Sequence, residues 1–321
     1  MAMYNRYILV PSPSPSQGSS QTLTGLDSNE AATTVLSRPV FECGVLLEKF
    51  TLNRKQFTHP LGLPRGAPAN TIPGVPAWTE KDADLRKAVV VSLSAGTKTG
   101  RAFGWMLARH RNERGELEGE GPRGLVQVTS VPGTLADFSG ADTKTKGLKV
   151  KNVGYGEEEL RGVVEWVRKL QEEEGVERVV MVDFGVAEGV TEVLVKGFKE
   201  AEKAAGKKLD VLVLAVGNES KVYTGVEMQA RMASGQTLGK VQFNTSGVRD
   251  RATEVEGATA YFEAVDEAWK RCYAESGLGD VRFESYRDVE GANGIEGAWK
   301  ALVEHKLAPN SGIVVRLSSS S

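Results

Sequence analysis

Short apolar runs alternate with amphipathic stretches over most of the chain. Continuous β-branched and apolar residues, typical of strands buried on both faces, occupy 89–93, 125–129 and 178–184. Further runs predict strands at 148–153, 211–216, 239–243 and 312–317. Between them, apolar residues such as Leu160, Val163 and Val167 recur at helical spacing. Strands that alternate with helices in this way predict an α/β fold with a doubly wound parallel sheet.

Other segments have different patterns. Ser, Pro and Thr are frequent up to Thr34, which predicts a flexible tail. The segment 40–57 alternates apolar and polar positions, which predicts one or two strands, and an apolar stripe from Val255 to Cys272 predicts a long helix. These patterns divide the chain into a tail (1–34), a short first segment (35–86), an α/β domain (87–250) and C-terminal helices with a strand (251–321).

Composition narrows the classes of partner. The net charge of −2 gives no electrostatic reason to expect nucleic acid. The two cysteines and three histidines are scattered without ligand spacing, so we expect no metal site and no disulfide framework. Because the chain has no apolar run of about 18 residues, we expect no signal peptide and no membrane partner. The two widely separated cysteines suit a reducing compartment, so we expect a cytoplasmic protein.

The clearest chemical signal follows the first apolar run of the predicted sheet. A loop of small residues leads from that strand into a helix, and the N-terminus of a helix offers unpaired N–H groups and a positive dipole end to a phosphate. A turn without a ligand, with a solvated lysine, is the alternative. The predicted cofactor-binding residues of the loop are Ser94, Ala95, Gly96, Lys98, Thr99 and Gly100.

The second strand ends in Thr129 and Ser130, where an NAD-binding protein would present a carboxylate to the ribose hydroxyls. A small polar strand end, with Lys144 and Lys146 nearby, leaves room for a 2′-phosphate. We therefore expect NADP rather than NAD. In the alternative interpretation, the two hydroxyl side chains only begin a turn.

Several pieces of the chain, in this order, resemble the medium-chain dehydrogenase/reductase superfamily, on its zinc-independent, quinone-oxidoreductase-like side. They read VLLEKFTLNRKQF, VVVSLSAGTKTGRAFGWML, LVQVTS, VVMVDFGV, VLVLAVG and GIEGAWKALVEHKLAPNSGIVVRL. The resemblance spans about residues 40–317 and implies a Rossmann-type domain plus a GroES-like β lobe formed by N- and C-terminal segments. In this pattern residues 35–86 form a reduced substrate lobe, residues 87–250 form the nucleotide-binding domain, and residues 251–321 return to the first lobe. This chain departs from the family in two ways, since its first lobe is reduced and Lys98 stands at the position of the second glycine.

The resemblance also implies roles for residues outside the loop. Asp183 and Gly217 end strands at the crevice where the nicotinamide ribose would lie, although a purely structural turn is an equal alternative for each. Asn53 matches a family asparagine near the nicotinamide, with a turn-forming role as the simpler alternative. Apart from the resemblance, Tyr223 is a candidate proton donor by its residue type.

Two functions remain open on these grounds. The first is an NADP-dependent, zinc-independent reductase that transfers hydride to a small carbonyl compound such as an enone or quinone. The second is a non-redox pseudoenzyme or binding protein on a degenerate Rossmann core, which the altered loop and the short first lobe favour. A small-molecule substrate is expected in the first case. By analogy with related folds, a homodimer would pair through the edge of the sheet.

Overall fold

The computed structural model describes residues 29–68, 71–72, 75–110, 121–138, 148–218, 223–304, 306–308 and 310–316. The contacts divide the chain into two units, one formed by residues 41–279 and the other by residues 1–40 with 280–321. The division falls within the first helix, α1 (Asn29–Val45), which begins inside the predicted tail. Residues 1–28 of that tail lie outside the described residues.

The larger unit is built on a parallel sheet of six strands. In chain order these are β1 (Ala88–Leu93), β2 (Gly124–Val128), β3 (Lys149–Val153), β4 (Arg178–Phe184), β5 (Asp210–Gly217) and β6 (Val241–Gln242). Their order across the sheet is β3-β2-β1-β4-β5-β6, and every neighbouring pair is parallel. This is the strand order of dinucleotide-binding Rossmann sheets, so the predicted α/β class and parallel sheet are confirmed.

Helices flank the sheet and supply the rest of its core. They are α2 (Glu80–Ala83), α3 (Lys98–Trp105), α4 (Glu157–Glu174), α5 (Val190–Ala205), α6 (Gly225–Thr237), α7 (Thr245–Glu256) and α8 (Ala258–Ala274). One face of the sheet, which includes Val91 and Met181, forms a single buried cluster with Val163 of α4 and Phe198 of α5. The alternation of strands with amphipathic helices thus has its expected result, a sheet covered by helices.

The segment 40–57 differs from its prediction. Instead of strands it contains the end of α1 and a π-helix, Leu46–Thr51. Nearly every residue from Phe41 to Phe50 is buried, so no polar face remains from which a helical period could be read. The buried Glu42 carboxylate accepts hydrogen bonds from Arg249 of α7 (2.8 and 2.6 Å) and from the Tyr261 hydroxyl of α8 (2.8 Å), contacts that favour the helical form.

The predicted GroES-like β lobe is accordingly not confirmed. In the described part of residues 35–86 the regular elements are helices, without a strand. The predicted long helix from Val255 to Cys272 is also wrong at its start, because Gly257 (φ 80°) separates α7 from α8. A glycine in this conformation ends the first helix, so Val255 lies on α7 and is exposed.

The smaller unit contains a second sheet of two parallel strands, β7 (Arg282–Arg287) and β8 (Ser311–Arg316), with the helix α9 (Ile295–Val303) between them in the chain. The charged sequence of β7 gave no strand signal. The C-terminal strand was predicted, although its partner was not.

Both cysteines of the chain, Cys43 and Cys272, are free thiols buried in the larger unit. Burial raises the pKa of Cys43 to about 12 and also raises the pKa of Cys272. Among the described residues, none of the helices has the length and apolar character needed to cross a bilayer.

Candidate functional site

The register of the sheet brings most of the predicted site residues to one edge. Leu93 of β1 pairs with Val128 of β2 and with Asp183 of β4, while Phe184 of β4 pairs with Gly217 of β5. The carboxyl ends of these four strands therefore lie side by side. From β1 the chain continues to β2 on one side of β1, and it later enters β4 on the other side. The direction of strand order therefore reverses between β1 and β4, and α/β proteins bind ligands at the carboxyl ends of the strands at such a topological switch point.

The loop after β1 is closely packed against β2. Ala95 donates its backbone N–H to the Val128 carbonyl at 3.0 Å. A Cβ atom at Gly96 would lie 2.4 Å from Thr129 Oγ1, and one at Gly100 would lie 2.9 Å from both the Ala95 and the Ser94 carbonyl oxygens. Ser94 adopts a left-handed conformation (φ 56°), which is uncommon for a residue with a side chain. Small residues are thus required for this chain path.

Helix α3 begins inside the loop, and its cap leaves several amides available. The Thr97 hydroxyl accepts a hydrogen bond from Gly100 N–H at 3.1 Å, and the Thr97 carbonyl accepts from Arg101 N–H at 2.9 Å. By contrast, the backbone N–H groups of Gly96, Lys98 and Thr99 donate to no acceptor within the described residues. These unpaired donors at the positive end of a helix are suited to a negatively charged oxygen.

Lys98, the first residue of α3, adds a cation to this end of the helix. Its side chain is half-buried and forms no ion pair or hydrogen bond with the residues that the structure describes. Burial, followed by the neighbouring charge of Arg101, lowers the pKa of Lys98. A desolvated ammonium group beside another cation is stabilised by a bound anion, so the loop has both the donors and the charge that a phosphate needs.

Arg101 holds the loop from behind, a role that sequence reasoning missed. The side chain is almost fully buried, and its guanidinium donates to the carbonyls of Gly96 (2.8 Å), Thr134 (2.6 Å) and Leu278 (2.7 Å). It therefore fixes the glycine of the loop to two other segments. The sequence did offer one indication of this role, because Arg101 stands among the apolar residues of a short helix. An arginine buried at such a position needs buried hydrogen-bond acceptors.

Tyr155, which follows β3, was also missed. Its hydroxyl hydrogen-bonds with Ser94 Oγ at 3.1 Å, and burial raises the pKa of the phenol, so the group is protonated at neutral pH. The ring is half-buried and lies at the same edge of the sheet as the loop. The rule that residues after parallel strands converge would have identified this position.

Asp183, at the end of β4, is almost completely buried. One carboxylate oxygen accepts from the N–H groups of Gly185 (2.9 Å) and Val186 (2.8 Å), and the other lies 3.2 Å from Lys240 Nζ. These contacts agree with the structural-turn alternative for Asp183. A role of Asp183 in ligand binding stays a prediction. Gly217 packs closely here, since a Cβ atom would lie 2.8 Å from the Phe184 carbonyl oxygen.

The end of β2 carries no carboxylate. Thr129 is buried, donates its N–H to the Val153 carbonyl at 3.0 Å and accepts from Val131 N–H at 3.4 Å, whereas Ser130 is exposed. Thr129 thus takes part in the turn, as in the alternative interpretation, and Ser130 leaves an exposed hydroxyl at the edge. Lys144 and Lys146 lie outside the described residues.

Asn53 and Tyr223 are not brought into hydrogen-bond contact with the loop in the described structure. The Asn53 side chain is buried and its Oδ1 accepts from Lys55 N–H at 3.1 Å, which is the turn-forming role. Tyr223 directly precedes Thr224, the residue that caps α6. The described residues contain no group of three or more His, Cys, Asp and Glu side chains arranged for a metal ion.

Comparison with known proteins adds one relationship. A family model described as "Protein of unknown function (DUF2855)" matches residues 1–308. Searches of curated proteins and of solved structures found no significant match.

Proposed function

The chain belongs to the DUF2855 family, whose description assigns no activity, and we propose that it is an NADP-dependent, zinc-independent oxidoreductase. It would transfer hydride between the nicotinamide and a small carbonyl compound such as an enone or quinone. The observation that carries this proposal is a set of N–H groups, at Gly96, Lys98 and Thr99, that lie beside the Lys98 ammonium group at the switch point of the sheet. Neither these N–H groups nor the ammonium group has a partner in the part of the chain that the structure describes.

The loop residues would hold the diphosphate of the cofactor. The three amides donate to phosphate oxygens, and Lys98 neutralises part of their charge. Arg101 contributes indirectly, since it binds the Gly96 carbonyl and so keeps the neighbouring amides in position. The bound nicotinamide supplies the hydride chemistry, and the protein supplies binding and orientation.

The preference for NADP depends on the end of β2. A carboxylate there would bind the 2′-hydroxyl of NAD and repel a 2′-phosphate. Thr129 and Ser130 bring no negative charge, and the Ser130 hydroxyl is exposed at this edge. We therefore expect NADPH to bind more tightly than NADH.

A non-redox binding protein on the same core is the second candidate. Two observations favour it. Residues 40–51 are helical, whereas the reductases that the sequence resembles have a β lobe in this region. In addition, the Asn53 side chain is engaged in a turn. In this case the site would bind the dinucleotide without transferring hydride.

Thermal unfolding with NADPH, with NADH and without ligand tests the proposal. A ligand at a hundred times its Kd should raise the free energy of unfolding by about 2.7 kcal/mol. We expect this stabilisation with NADPH, less with NADH, and about a tenfold weaker Kd in Lys98→Ala because a charge-assisted contact is lost. The control is Lys199→Ala, at an exposed lysine of α5, which should bind like the wild type.

The outcomes separate the candidates. Absence of stabilisation by either cofactor would refute dinucleotide binding. If NADPH binds, its oxidation is followed at 340 nm with a panel of quinones and enones. Turnover supports the reductase, and binding without turnover of any acceptor favours the second candidate.

A further inference from the structure

The sheet has a second notable edge, at the amino ends of its strands. There β1, β2, β4 and β5 begin beside one another, and a cavity of about 710 Å³ opens at their start. Since β4 has seven residues and a strand rises about 3.3 Å per residue, this cavity lies roughly 20 Å from the loop after β1. It is therefore a separate location from the proposed dinucleotide site.

Charged side chains line the cavity, and positive ones are in excess. Three are acidic, namely Asp84, Glu177 and Asp210. Six are cationic, namely Lys81, Arg86, Lys87, Arg123, Arg178 and Lys208. Because the whole chain carries a net charge of −2, this excess is local and not a property of the surface in general.

Arg178 forms a fixed part of the cavity wall. It is almost fully buried, and its guanidinium binds Asp210 Oδ2 (2.8 and 3.1 Å), Asp82 Oδ1 (3.4 Å) and the Lys81 carbonyl. Although partial burial opposes ionisation of Asp210, the hydrogen bonds and charge of Arg178 lower the pKa of Asp210. This carboxylate is therefore ionised and already engaged.

The other two acidic groups are engaged as well. Asp84 lies 2.6 Å from Arg86, and Glu177 lies 2.5 Å from Lys87. In contrast, the side chains of Arg123 and Lys208 are exposed and form no hydrogen bond or ion pair with any described residue. The positive charge of the cavity is thus not neutralised from within.

Backbone hydrogen bonds fix the spacing of the lining segments. Arg123 N–H donates to the Ala88 carbonyl (2.8 Å), Glu177 N–H to the Lys87 carbonyl (2.9 Å) and Asp210 N–H to the Glu177 carbonyl (3.0 Å). These bonds extend the sheet ladder across the floor of the cavity. The cations therefore project from a rigid frame, which reduces the entropy lost when a ligand binds.

We propose that this cavity binds a small multivalent anion, a molecule with closely spaced phosphate or carboxylate groups. Its volume is in the range of small-molecule sites, and arginine with lysine is the combination that proteins use for phosphates and carboxylates. Arg123 and Lys208 form the new ion pairs, and Arg178 holds the wall in place. The inference is independent of dinucleotide binding.

Calorimetric titration of the full chain with tripolyphosphate and with citrate, at constant ionic strength, tests the inference. The two anions distinguish phosphate from carboxylate recognition. We expect binding of at least one, with about a tenfold weaker Kd in Arg123→Ala and in Lys208→Ala, since each removes a charge-assisted contact. Because neither side chain has a hydrogen-bond or ion-pair partner among the residues that the structure describes, both variants should unfold at the wild-type temperature.

Two control variants show whether any loss of affinity is specific to the cavity. Lys199→Ala, which removes an exposed lysine of α5, should leave the Kd unchanged. Since a polyphosphate also fits the proposed diphosphate loop, Lys98→Ala at the opposite edge of the sheet should leave unchanged the binding event that Arg123→Ala and Lys208→Ala weaken. The inference is overturned if neither anion binds or if Arg123→Ala and Lys208→Ala bind like the wild type. It is also overturned if Lys98→Ala abolishes binding, because the anion would then occupy the loop after β1.

Discussion

At the scale of single residues, Lys98 links the stability of the fold to its proposed ligand. An ammonium group at the start of a helix lies at the positive end of the dipole, and this one is also half-buried and close to Arg101. Each of these circumstances disfavours its charged form in the absence of an anion. The residue therefore destabilises the free protein while it favours binding of a phosphate.

The first prediction follows from the lowered pKa of Lys98. Replacing Lys98 by Met should raise the free energy of unfolding at pH 7 by up to about 1 kcal/mol, because an uncompensated charge is removed. Between the lowered folded-state pKa and the usual value near 10.5, the unfolded wild type binds more protons than the folded form, so wild-type stability rises with pH there. The advantage of Lys98→Met should therefore shrink toward pH 10.5.

Urea unfolding of both proteins at several pH values measures this difference. Lys199→Met is the control, since Lys199 is exposed on α5 and its loss should change stability little at any pH. A wild type that is more stable than Lys98→Met at pH 7 would contradict the prediction. It would mean that Lys98 finds a stabilising partner in the free protein.

Sequence patterns located the loop after β1, the proposed phosphate site, but not the side chains that complete its surroundings. Ser94 to Gly100 could be predicted because local order along the chain, strand then small residues then helix, is enough to define such a loop. Tyr155 and Lys240 reach this edge from segments far away in the chain. Their contacts depend on strand order and side-chain direction, which a single sequence does not specify.

At the scale of elements, the start of α3 depends on close approach between the helix and the preceding loop. Gly100 lies in the first turn of α3, and its Cα faces the backbone of Ser94 and Ala95. A side chain at this position meets main-chain atoms and cannot be accommodated by a rotamer change. The contact therefore sets the distance between the loop and the helix.

The second prediction concerns this contact. Gly100→Ala should lower the free energy of unfolding by about 1–3 kcal/mol, because the loop must move away from its packed position. It should also weaken NADPH binding. Gly162→Ala, within α4, is the matched control, since its new Cβ would have only an ordinary contact at 3.7 Å. The control should be neutral or stabilising by up to about 1 kcal/mol.

Denaturant unfolding and NADPH titration of the two variants provide the measurements. If Gly100→Ala were as stable as Gly162→Ala, the close packing of the loop against α3 would be wrong.

Elements were predicted well where a short apolar run is bounded by turns or where a helix has one polar face, and poorly in two segments that have neither pattern. The strands of the large sheet were recognised because continuous apolar runs bounded by turns are distinctive. The segment 41–50 is buried nearly all round, so its pattern did not distinguish a strand from a helix. The charged strand β7 has the opposite character, with most of its residues exposed, and it gave no apolar signal.

At the scale of the whole molecule, the two units differ in the burial and the size of their sheets. Strands β1 and β4 are completely buried and lie in the middle of six strands. Strands β7 and β8 form a sheet of only two strands, and a pair of this size has marginal stability by itself. The parallel sheet could be predicted from the alternation of elements, whereas the pairing of β7 with β8 could not.

The third prediction is a difference in amide hydrogen exchange between the units. Amides of β1 and β4 should exchange only through global unfolding, and those of β7 should exchange through local openings that cost at least about 2 kcal/mol less. Exchange measured by mass spectrometry on the intact chain gives both values. Equal protection of β7 and β1 would contradict the prediction and would indicate that the two units unfold together.

The buried thiols of Cys43 and Cys272 have a practical consequence. A thiol reacts with maleimides or iodoacetamide as the thiolate, and both cysteines are held in the protonated form inside the larger unit. A cysteine introduced on the surface, for example at Lys199, would therefore be labelled selectively in the native protein. Spin labels or fluorophores can thus be attached at chosen positions while both natural cysteines are retained.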